Sequence, residues 1–362
     1  MDTALASLVD RVRSASAAGT PLRIRGGGTK DFYGEPAAGE LLDTRSLSGI
    51  SSYEPSELVV TARAGTPLAE LEQVLAAQGQ SLPFEPPHCG PGATVGGMVA
   101  AGLSGPARAS VGSVRDYVLG LNLVNGRGEH LVFGGQVMKN VAGYDVSRLM
   151  VGALGTLGLI TEVSLKVLPV APAEATLQFQ MPQDEALRRL NAWGGQPLPL
   201  NASCWVEDAG VGTLFLRLRG AVAAVEAACR SLGGHRMDNA EAGPDWADCR
   251  EQRLPWFAQR GERDLWRLSV PQTAPVLELP EAPLVEWHGA QRWVRTEPEQ
   301  AQALRETAAR AGGHAMLVRT ARGDAGPRMA PLSPALDTIQ RQLKQQFDPA
   351  GIFNRGRLYP HF

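Results

Sequence analysis

The pattern of apolar and polar positions predicts two kinds of folded region, which meet near residue 170. In the first region, an amphipathic helix is predicted over residues 4–18, and it stops at Gly19. Thr66 and Pro67 have the residue types of a helix N-cap and a first helical position, so a second helix is predicted from there to about Gln78. The apolar runs that predict strands in this region lie at 22–25, 40–43, 57–63, 117–124, 130–133 and 159–168.

Two turns and one long loop complete the first region. Asn125 and Gly126 separate two apolar runs, which is typical of a β-hairpin. Residues 83–116 are rich in glycine, proline and alanine and have no clear periodicity. A loop of this length inside a compact domain is usually functional.

After Pro172 the pattern changes to strands that alternate with amphipathic helices. The predicted strands lie at 175–181, 204–206, 213–219, 265–270, 285–288 and 292–295. The predicted helices lie at 182–193, 222–232, 298–311 and 333–347. This order is typical of an α+β domain with an antiparallel sheet.

Composition narrows the possible functions. A formal net charge of -2 over 362 residues gives no basic surface for nucleic acid. No apolar run approaches the roughly 18–20 residues that a membrane-spanning helix needs, so no direct membrane insertion is expected. The four cysteines form no C-x-x-C pair, which indicates reduced thiols of a cytoplasmic protein and no metal site.

The segment with the most chemical information runs from Leu22 to Gly34. A short apolar strand leads into three consecutive glycines, at 26–28, and then into Thr29 and Lys30. Successive backbone N–H groups at such a turn form a concave nest that binds anions. With Arg25 and Lys30 beside it, the loop is suited to a diphosphate, although an ordinary glycine-rich turn between two strands has the same composition.

Three further glycine-rich segments follow, at Gly90–Gly105, Val111–Gly120 and Lys139–Thr161. Neither G-x-G-x-x-G after a strand nor G-x-x-x-x-G-K-[ST] occurs in the chain. The glycines are therefore not those of a Rossmann or a P-loop nucleotide site.

Taken in order, these segments resemble the p-cresol methylhydroxylase (PCMH)/vanillyl-alcohol oxidase family of FAD proteins. The matching pieces are IRGGGT, ELVVTARAGTPLAELEQVLAAQGQSLPFEPP, ATVGG, VGSVRDYVLG, GYDVSRLMVGALGTLG and DPAGIFNRGRLYP. The resemblance implies an α+β protein with a PCMH-type FAD-binding domain of two α+β subdomains over 1–172. An α+β cap or substrate domain with an antiparallel sheet would span 173–330. A C-terminal segment, 331–362, would return to the FAD domain.

Within that family, the chain is similar along its whole length to the small FAD-binding (E) subunits of bacterial glycolate oxidases. HCGPGATVGGMVAAGLSGP, VMKNVAGYDVSRLMVGALGTLG and DLWRLSVP carry this likeness. It implies a complex with a larger FAD-containing subunit and an iron–sulfur subunit, which oxidises the small 2-hydroxy acid glycolate to glyoxylate. The iron–sulfur partner would receive the electrons, and any contact with the inner membrane would be peripheral and through the partners.

The resemblance also implies which residues hold FAD. Thr29 stands where the family's covalently linking histidine would be, so the cofactor is expected to be noncovalent. The implied cofactor-binding residues are Arg25, Gly26, Gly27, Gly28, Thr29, Gly92, Ala93, Thr94, Gly96, Gly97, Gly152, Gly155, Gly158, Ile160 and Asn354.

Oxidation of a 2-hydroxy acid needs a cation for the carboxylate and a base for the hydroxyl proton. Arg267, His288 and Arg292 are the candidates for these roles, if their strands face the flavin. Arg267 is equally suited to a surface ion pair, and His288 to a structural hydrogen bond.

The metal-binding G-H-x-G-D-G-N-x-H run of large family members does not occur here. The alternative is therefore a non-catalytic FAD-binding assembly or electron-relay subunit beside a larger catalytic one. A free-standing FAD enzyme that acts on another alcohol, or a cell-wall sugar reductase, would share only the FAD domain.

Overall fold

A computed structural model of the chain describes residues 2–135, 144–321 and 326–360. These residues form two compact units, each with its own buried clusters. Unit 1 takes its described residues from Met1–Leu103, Ser113–Pro169 and Pro331–Phe362, and unit 2 from Ser104–Gly112 and Val170–Ala330.

The helices are α1 Thr3–Ala18, α2 Leu68–Ala76, α3 Val95–Ala101, α4 Arg108–Val111, α5 Val114–Tyr117, α6 Val146–Leu149, α7 Gln183–Gly194, α8 Val222–Leu232, α9 Asn239–Glu251, α10 Pro255–Ala258, α11 Ala301–Arg310 and α12 Pro334–Phe347. The strands are β1 Leu22–Arg25, β2 Glu40–Asp43, β3 Ile50–Glu54, β4 Val59–Arg63, β5 Gln80–Ser81, β6 Val118–Val124, β7 His130–Gly134, β8 Leu159–Lys166, β9 Leu168–Pro169, β10 Ala173–Gln180, β11 Leu200–Asp208, β12 Val211–Gly220, β13 His235–Arg236, β14 Asp264–Ser269, β15 Leu284–Glu286, β16 Gln291–Thr296 and β17 His314–Arg319.

Unit 1 is built around a five-stranded antiparallel sheet in the order β3-β4-β8-β6-β7. Helices α2 and α3 share one buried cluster with this sheet, as shown by Leu71, Val95 and Val163. A second buried cluster joins α1, the parallel pair β1–β2 and the C-terminal segment, and it includes Leu22 and Phe353. The strand that leads into the glycine loop is therefore anchored by residues more than 300 positions away.

Unit 2 is built around an eight-stranded sheet in the order β13-β10-β12-β11-β15-β16-β14-β17, in which every pair is antiparallel. Helices α7 and α8 pack on β10–β12 through residues such as Leu190 and Val225. Helix α11 packs on β14, β16 and β17 through Leu304 and Ala308. The predicted α+β class with an antiparallel sheet is confirmed.

The structure differs from the sequence prediction where local signals mislead. Thr66 is not the N-cap of α2: Pro67 is, and the Thr66 hydroxyl instead bonds both the N–H and the carbonyl of Gly49. Residues 83–116 are not one loop, because they contain α3, α4 and most of α5.

The pattern of apolar and polar positions failed to predict two features of unit 2. Helix α9 contains Pro244, a residue that normally breaks a helix, yet Ala242, Trp246 and Cys249 form its buried face. The strand predicted at 285–288 ends at Glu286, and a 3-10 turn, Trp287–Gly289, follows it.

Candidate functional site

The glycine loop after β1 offers a row of backbone donors. Among the residues that the structure describes, the N–H groups of Gly26, Gly27, Gly28 and Thr29 have no hydrogen-bond acceptor. These residues line a cavity of about 90 Å³ in unit 1. Backbone N–H groups in folded proteins are nearly always paired, so a row of unpaired ones at a cavity indicates an anion site.

Two of these glycines are required by a neighbouring loop. A Cβ on Gly27 would lie 1.6 Å from the carbonyl oxygen of Gly92, and one on Gly26 would lie 2.3 Å from Oγ1 of Thr94. The loop after β1 and the loop before α3 therefore pack backbone against backbone. Gly28 has φ +74°, a conformation that glycine adopts without strain.

Other predicted glycines face open space. A Cβ on Gly92 or Gly152 would have no neighbour within 4 Å, and one on Gly97 would meet only Oγ1 of Thr94, at 3.1 Å. By contrast, a Cβ on Gly96 would lie 2.7 Å from that of Ala64, so this glycine serves packing. Of these open glycines, Gly97 lines the same cavity as the unpaired N–H donors and leaves room for a ligand against the backbone.

The predicted cofactor residues thus fall into two groups. Eight of them line the 90 Å³ cavity: Arg25, Gly26, Gly27, Gly28, Thr29, Thr94, Gly97 and Asn354. Seven do not line it: Gly92, Ala93, Gly96, Gly152, Gly155, Gly158 and Ile160. The cavity also includes Lys30, whose charge the sequence had placed beside the loop, and residues that were not among the predicted cofactor residues: Ile24, Asp31, Ala100, Ala101, Leu154 and Arg357. Residues 139–143 of the fourth glycine-rich segment lie outside the described residues.

The cations at the cavity are held by neighbouring backbone and side chains. Arg25 forms an ion pair with Asp31, with Nε 2.7 Å from Oδ2. The Lys30 ammonium donates to the carbonyl of His88 at 3.1 Å. Arg357 donates to the carbonyls of Lys30, Asp31 and Glu35, and so it fixes the segment that follows the glycines.

Asn354 joins β1 to the turn before β8. Its side-chain oxygen accepts from the N–H of Ile24 at 2.7 Å, and its nitrogen donates to the carbonyl of Leu154 at 2.6 Å. The residue is 4% exposed and has φ +40°, which asparagine tolerates better than most residues. The same side chain lies 2.7 Å from where a Cβ of Gly155 would be.

A buried ion pair holds the C-terminal segment that carries Asn354. The Lys344 ammonium lies 2.8 Å from Oδ2 of Asp348 and also donates to the carbonyls of Thr156 and Phe353. Asp348 accepts in turn from the N–H groups of Ile352 and Phe353. Burial lowers the pKa of Lys344, and the three acceptors compensate the charge.

The three candidate catalytic residues lie in unit 2, and the structure does not bring them to one point. In the β14–β16 pair, Leu268 is opposite Arg292 and Arg267 is opposite Trp293. Directly opposite residues share a face of the sheet, and neighbours along a strand alternate between faces. Arg267 and Arg292 therefore lie on opposite faces.

Arg292 is fully buried and its guanidinium is occupied. It donates to the carbonyls of Gly289 at 2.8 Å, Ala274 at 3.2 Å and Pro275 at 3.5 Å. Burial lowers the pKa of Arg292 to about 10, so the group stays charged at neutral pH. These bonds make it a brace between backbone segments of unit 2.

His288 is also engaged on both sides of its ring. Nδ1 lies 3.0 Å from Oγ of Ser203, and Nε2 lies 2.9 Å from Oγ of Ser110. Burial lowers the pKa of His288 to about 4, so the ring is neutral near pH 7.

A larger cavity, of about 280 Å³, lies in unit 2 between the sheet and helices α9 and α10. Its lining includes the aromatic side chains of Trp246 and Trp256 and the carboxylates of Glu207, Asp208 and Asp245. The lining residues include no lysine or arginine. This charge balance disfavours a carboxylate ligand such as a 2-hydroxy acid.

Comparison with known proteins decides the family. A model of an FAD binding domain matches residues 3–134. Glycolate oxidase subunit GlcE of Escherichia coli is 48% identical over 353 residues, which cover 98% of this chain and 97% of that protein. This chain belongs to the GlcE family of glycolate oxidase subunits. The predicted family and the predicted FAD cofactor are confirmed.

More distant relatives of this GlcE-family chain share only part of it. Mitochondrial D-lactate dehydrogenase [cytochrome] of Arabidopsis thaliana is 32% identical over 42% of this chain and 26% of that protein. Glycolate oxidase subunit GlcD of Bacillus subtilis is 34% identical over 43% of this chain and 34% of that protein. Together with the GlcE match, these relatives confirm the prediction of an FAD-dependent oxidoreductase family that acts on hydroxy acids.

A solved structure shows the same fold at low identity. Alkyldihydroxyacetonephosphate synthase superposes with a TM-score of 0.67 at 18% identity, covering 96% of this chain and 73% of that one. None of the helices in the described parts of the chain has both the length and the apolar composition of a membrane span. No group of three or more histidine, cysteine, aspartate or glutamate side chains in that part of the chain could hold a metal ion.

Proposed function

We propose that this chain is the small FAD-binding subunit of a complex that oxidises glycolate to glyoxylate. One observation carries the proposal: the unpaired N–H donors of residues 26–29 line a cavity in a chain 48% identical to a glycolate oxidase subunit. The partners are a larger FAD-containing subunit and an iron–sulfur subunit that receives the electrons.

Unit 1 holds the cofactor in this proposal. The backbone of residues 26–29, with Arg25 beside it, binds the diphosphate, because its N–H groups stabilise negative charge without a proton transfer. The open glycines Gly92, Gly97 and Gly152 let the ligand approach the backbone closely. The remaining proposed FAD-binding residues are Ala93, Thr94, Gly96, Gly155, Gly158, Ile160 and Asn354. When bound, FAD supplies the redox chemistry by accepting two electrons from the CH–OH carbon.

A second candidate function is favoured because the three candidate catalytic residues are either bonded within the protein or lie on opposite faces of the sheet. Arg292 is occupied by three carbonyls, His288 is bonded through both ring nitrogens, and Arg267 lies on the other face of the sheet from Arg292. This arrangement supports a non-catalytic role, in which the chain binds FAD for assembly or electron relay and a larger subunit oxidises glycolate.

We also propose that the chain resides in the cytoplasm and reaches the inner membrane only through its partners. The support is chemical: among the described residues, none of the cysteines at 89, 204, 229 and 249 forms a disulfide, which is the usual state in a reducing compartment.

The proposal that FAD binds in the cavity of unit 1 is tested by a substitution that places a large side chain in that cavity. Ala100 lines it from α3, where no special backbone conformation is needed, so Ala100→Phe should block the ligand with little effect on folding. The matched control is Ala17→Phe on the exposed face of α1. The wild type and the control should purify with noncovalent flavin that acid releases, and Ala100→Phe should lose most of it. A folded wild-type chain that takes up no FAD in excess would contradict the proposal.

The two candidate functions are separated by activity of the purified chain. The FAD-loaded chain alone is mixed with glycolate and a dye that accepts electrons. Turnover by this chain alone eliminates the relay role. Flavin that glycolate does not reduce, but that becomes reduced when the larger subunit is added, eliminates independent catalysis.

A further inference from the structure

One short segment leaves unit 1 and returns to it. Ser104–Gly112, here the excursion segment, belongs to unit 2 by its contacts, whereas the chain on both sides of it belongs to unit 1. It contains α4 and begins three residues after Ala101 of α3. Ala100 and Ala101 line the cavity of the proposed FAD site, so the excursion segment continues directly from its wall.

The residues that hold the excursion segment have an unusual backbone. Trp287, His288 and Gly289 have φ values of +52°, +54° and +102° in succession. Two consecutive non-glycine residues in the left-handed region are strained, and such strain persists only where surrounding contacts enforce it. The turn that they form, here the corner, therefore needs strong contacts on its outer side.

Those contacts are made with the excursion segment. The indole Nε1 of Trp287 donates to the carbonyl of Gly105 at 3.0 Å. The Arg108 guanidinium lies 4.5 Å from the centre of the Trp287 ring, within the range of a cation–π interaction. Nε2 of His288 lies 2.9 Å from Oγ of Ser110.

The corner is also fixed on its inner side. Oγ of Ser203, on the central strand β11, lies 3.0 Å from both the backbone nitrogen and Nδ1 of His288. Trp287 and His288 are each less than 10% exposed. The His288 ring therefore bridges a core strand of unit 2 to the excursion segment, and neither of its nitrogens is available for a substrate proton.

We propose that Trp287 and His288 form a latch that fixes the excursion segment and, through chain continuity, the α3 wall of the cofactor cavity. Both are positioning residues for FAD rather than catalytic residues. The part that concerns FAD rests on the proposed function, whereas the latch itself does not.

Limited proteolysis tests the latch. Arg108 is the only lysine or arginine of the excursion segment, so trypsin cleavage there reports its release. Trp287→Phe keeps an aromatic ring at this position and removes the N–H donor. His288→Asn suits the left-handed backbone but is too short to reach Ser110. Each loses one hydrogen bond, so cleavage of the full-length chain at Arg108 should accelerate about fivefold.

The matched control loses an indole hydrogen bond that is also in unit 2 but does not involve the excursion segment. Trp246→Phe removes an indole N–H that donates to Oγ1 of Thr176 at 2.9 Å. Its cleavage rate at Arg108 should equal that of the wild type. Ser110→Ala removes the outer partner of His288 from an exposed site and should match His288→Asn, and the double variant should be no faster than either single one. Equal cleavage rates in all variants overturn the latch.

The positioning role is tested by FAD titration of the same four proteins. The Kd for FAD should rise about fivefold in Trp287→Phe, His288→Asn and Ser110→Ala and stay unchanged in Trp246→Phe. Faster cleavage with an unchanged Kd overturns the positioning role. If no protein binds FAD, the proposed function fails, and the cleavage rates still decide the latch.

Discussion

At the scale of single residues, the molecule depends on buried polar side chains that join distant segments. Asn354 connects β1 with the turn before β8 through two short hydrogen bonds, although it lies 330 and 200 residues from its partners. The sequence placed Asn354 near the flavin only through the family resemblance. Its two bonds had no local signal, because hydrogen bonds between residues so far apart leave no periodic pattern.

Replacing Asn354 tests this connection. Asn354→Ala leaves the N–H of Ile24 and the carbonyl of Leu154 without their partner, and each unpaired buried group is costly. The free energy of unfolding should fall by about 3 kcal/mol in urea titrations. The control is Asn191→Ala, which removes an exposed side chain bonded to the carbonyl of Leu187 and should change it by about 0.5 kcal/mol or less. Equal losses in the two variants would refute a special role for Asn354.

The His288 ring gives unit 2 a defined pH dependence. Its pKa falls from 6.5 to about 4 on folding, because burial disfavours the charged ring. The unfolded chain therefore binds more protons between these values, and this contribution is complete above pH 6.5 and lost as the pH falls to about 4. The loss amounts to about 3 kcal/mol. In His288→Asn, unfolding measured from pH 7 to 4 should lack this component, and an unchanged profile would contradict the burial of the ring.

At the scale of elements, local patterns predict what local interactions determine. Helix α1, the β6–β7 hairpin and strands β1 and β2 were predicted from periodicity and turn residues. Helix α9 was not, because Gly243 and Pro244 obscure the helical spacing of Ala242, Trp246 and Cys249. The corner after β15 has no sequence signal, since tertiary contacts impose its left-handed backbone.

The two glycine loops act as one element because their backbones touch. In Gly27→Ala the new Cβ would lie 1.6 Å from the carbonyl oxygen of Gly92, so the loops must separate and the N–H groups move. The Kd for FAD should rise more than about tenfold, measured by flavin fluorescence. Gly194→Ala is the control, because a Cβ there meets nothing within 4 Å at the end of α7. If Gly27→Ala bound FAD with the same Kd as Gly194→Ala, the packing of the two loops would not be needed for FAD binding, and this part of the proposal would be wrong.

At the scale of the whole molecule, the chain combines a cofactor unit and an antiparallel sheet unit. The family and the FAD cofactor followed from the order of several glycine loops, which is a whole-chain property, and the α+β class followed as well from the alternation of predicted strands and helices after Pro172. By contrast, the sequence could not show whether the catalytic candidates Arg267, His288 and Arg292 lie together in the fold. Strand alternation is readable from sequence, but the pairing register that separates Arg267 from Arg292 is not.

The central claim is that the N–H groups of residues 26–29 hold the diphosphate of FAD. Hydrogen–deuterium exchange of the full-length chain, with and without FAD, measures these amides directly. Because they have no acceptor among the described residues of the chain, they should exchange fast without FAD and become strongly protected when it binds. A peptide covering residues 22–34 whose exchange is the same with and without bound FAD would contradict the account.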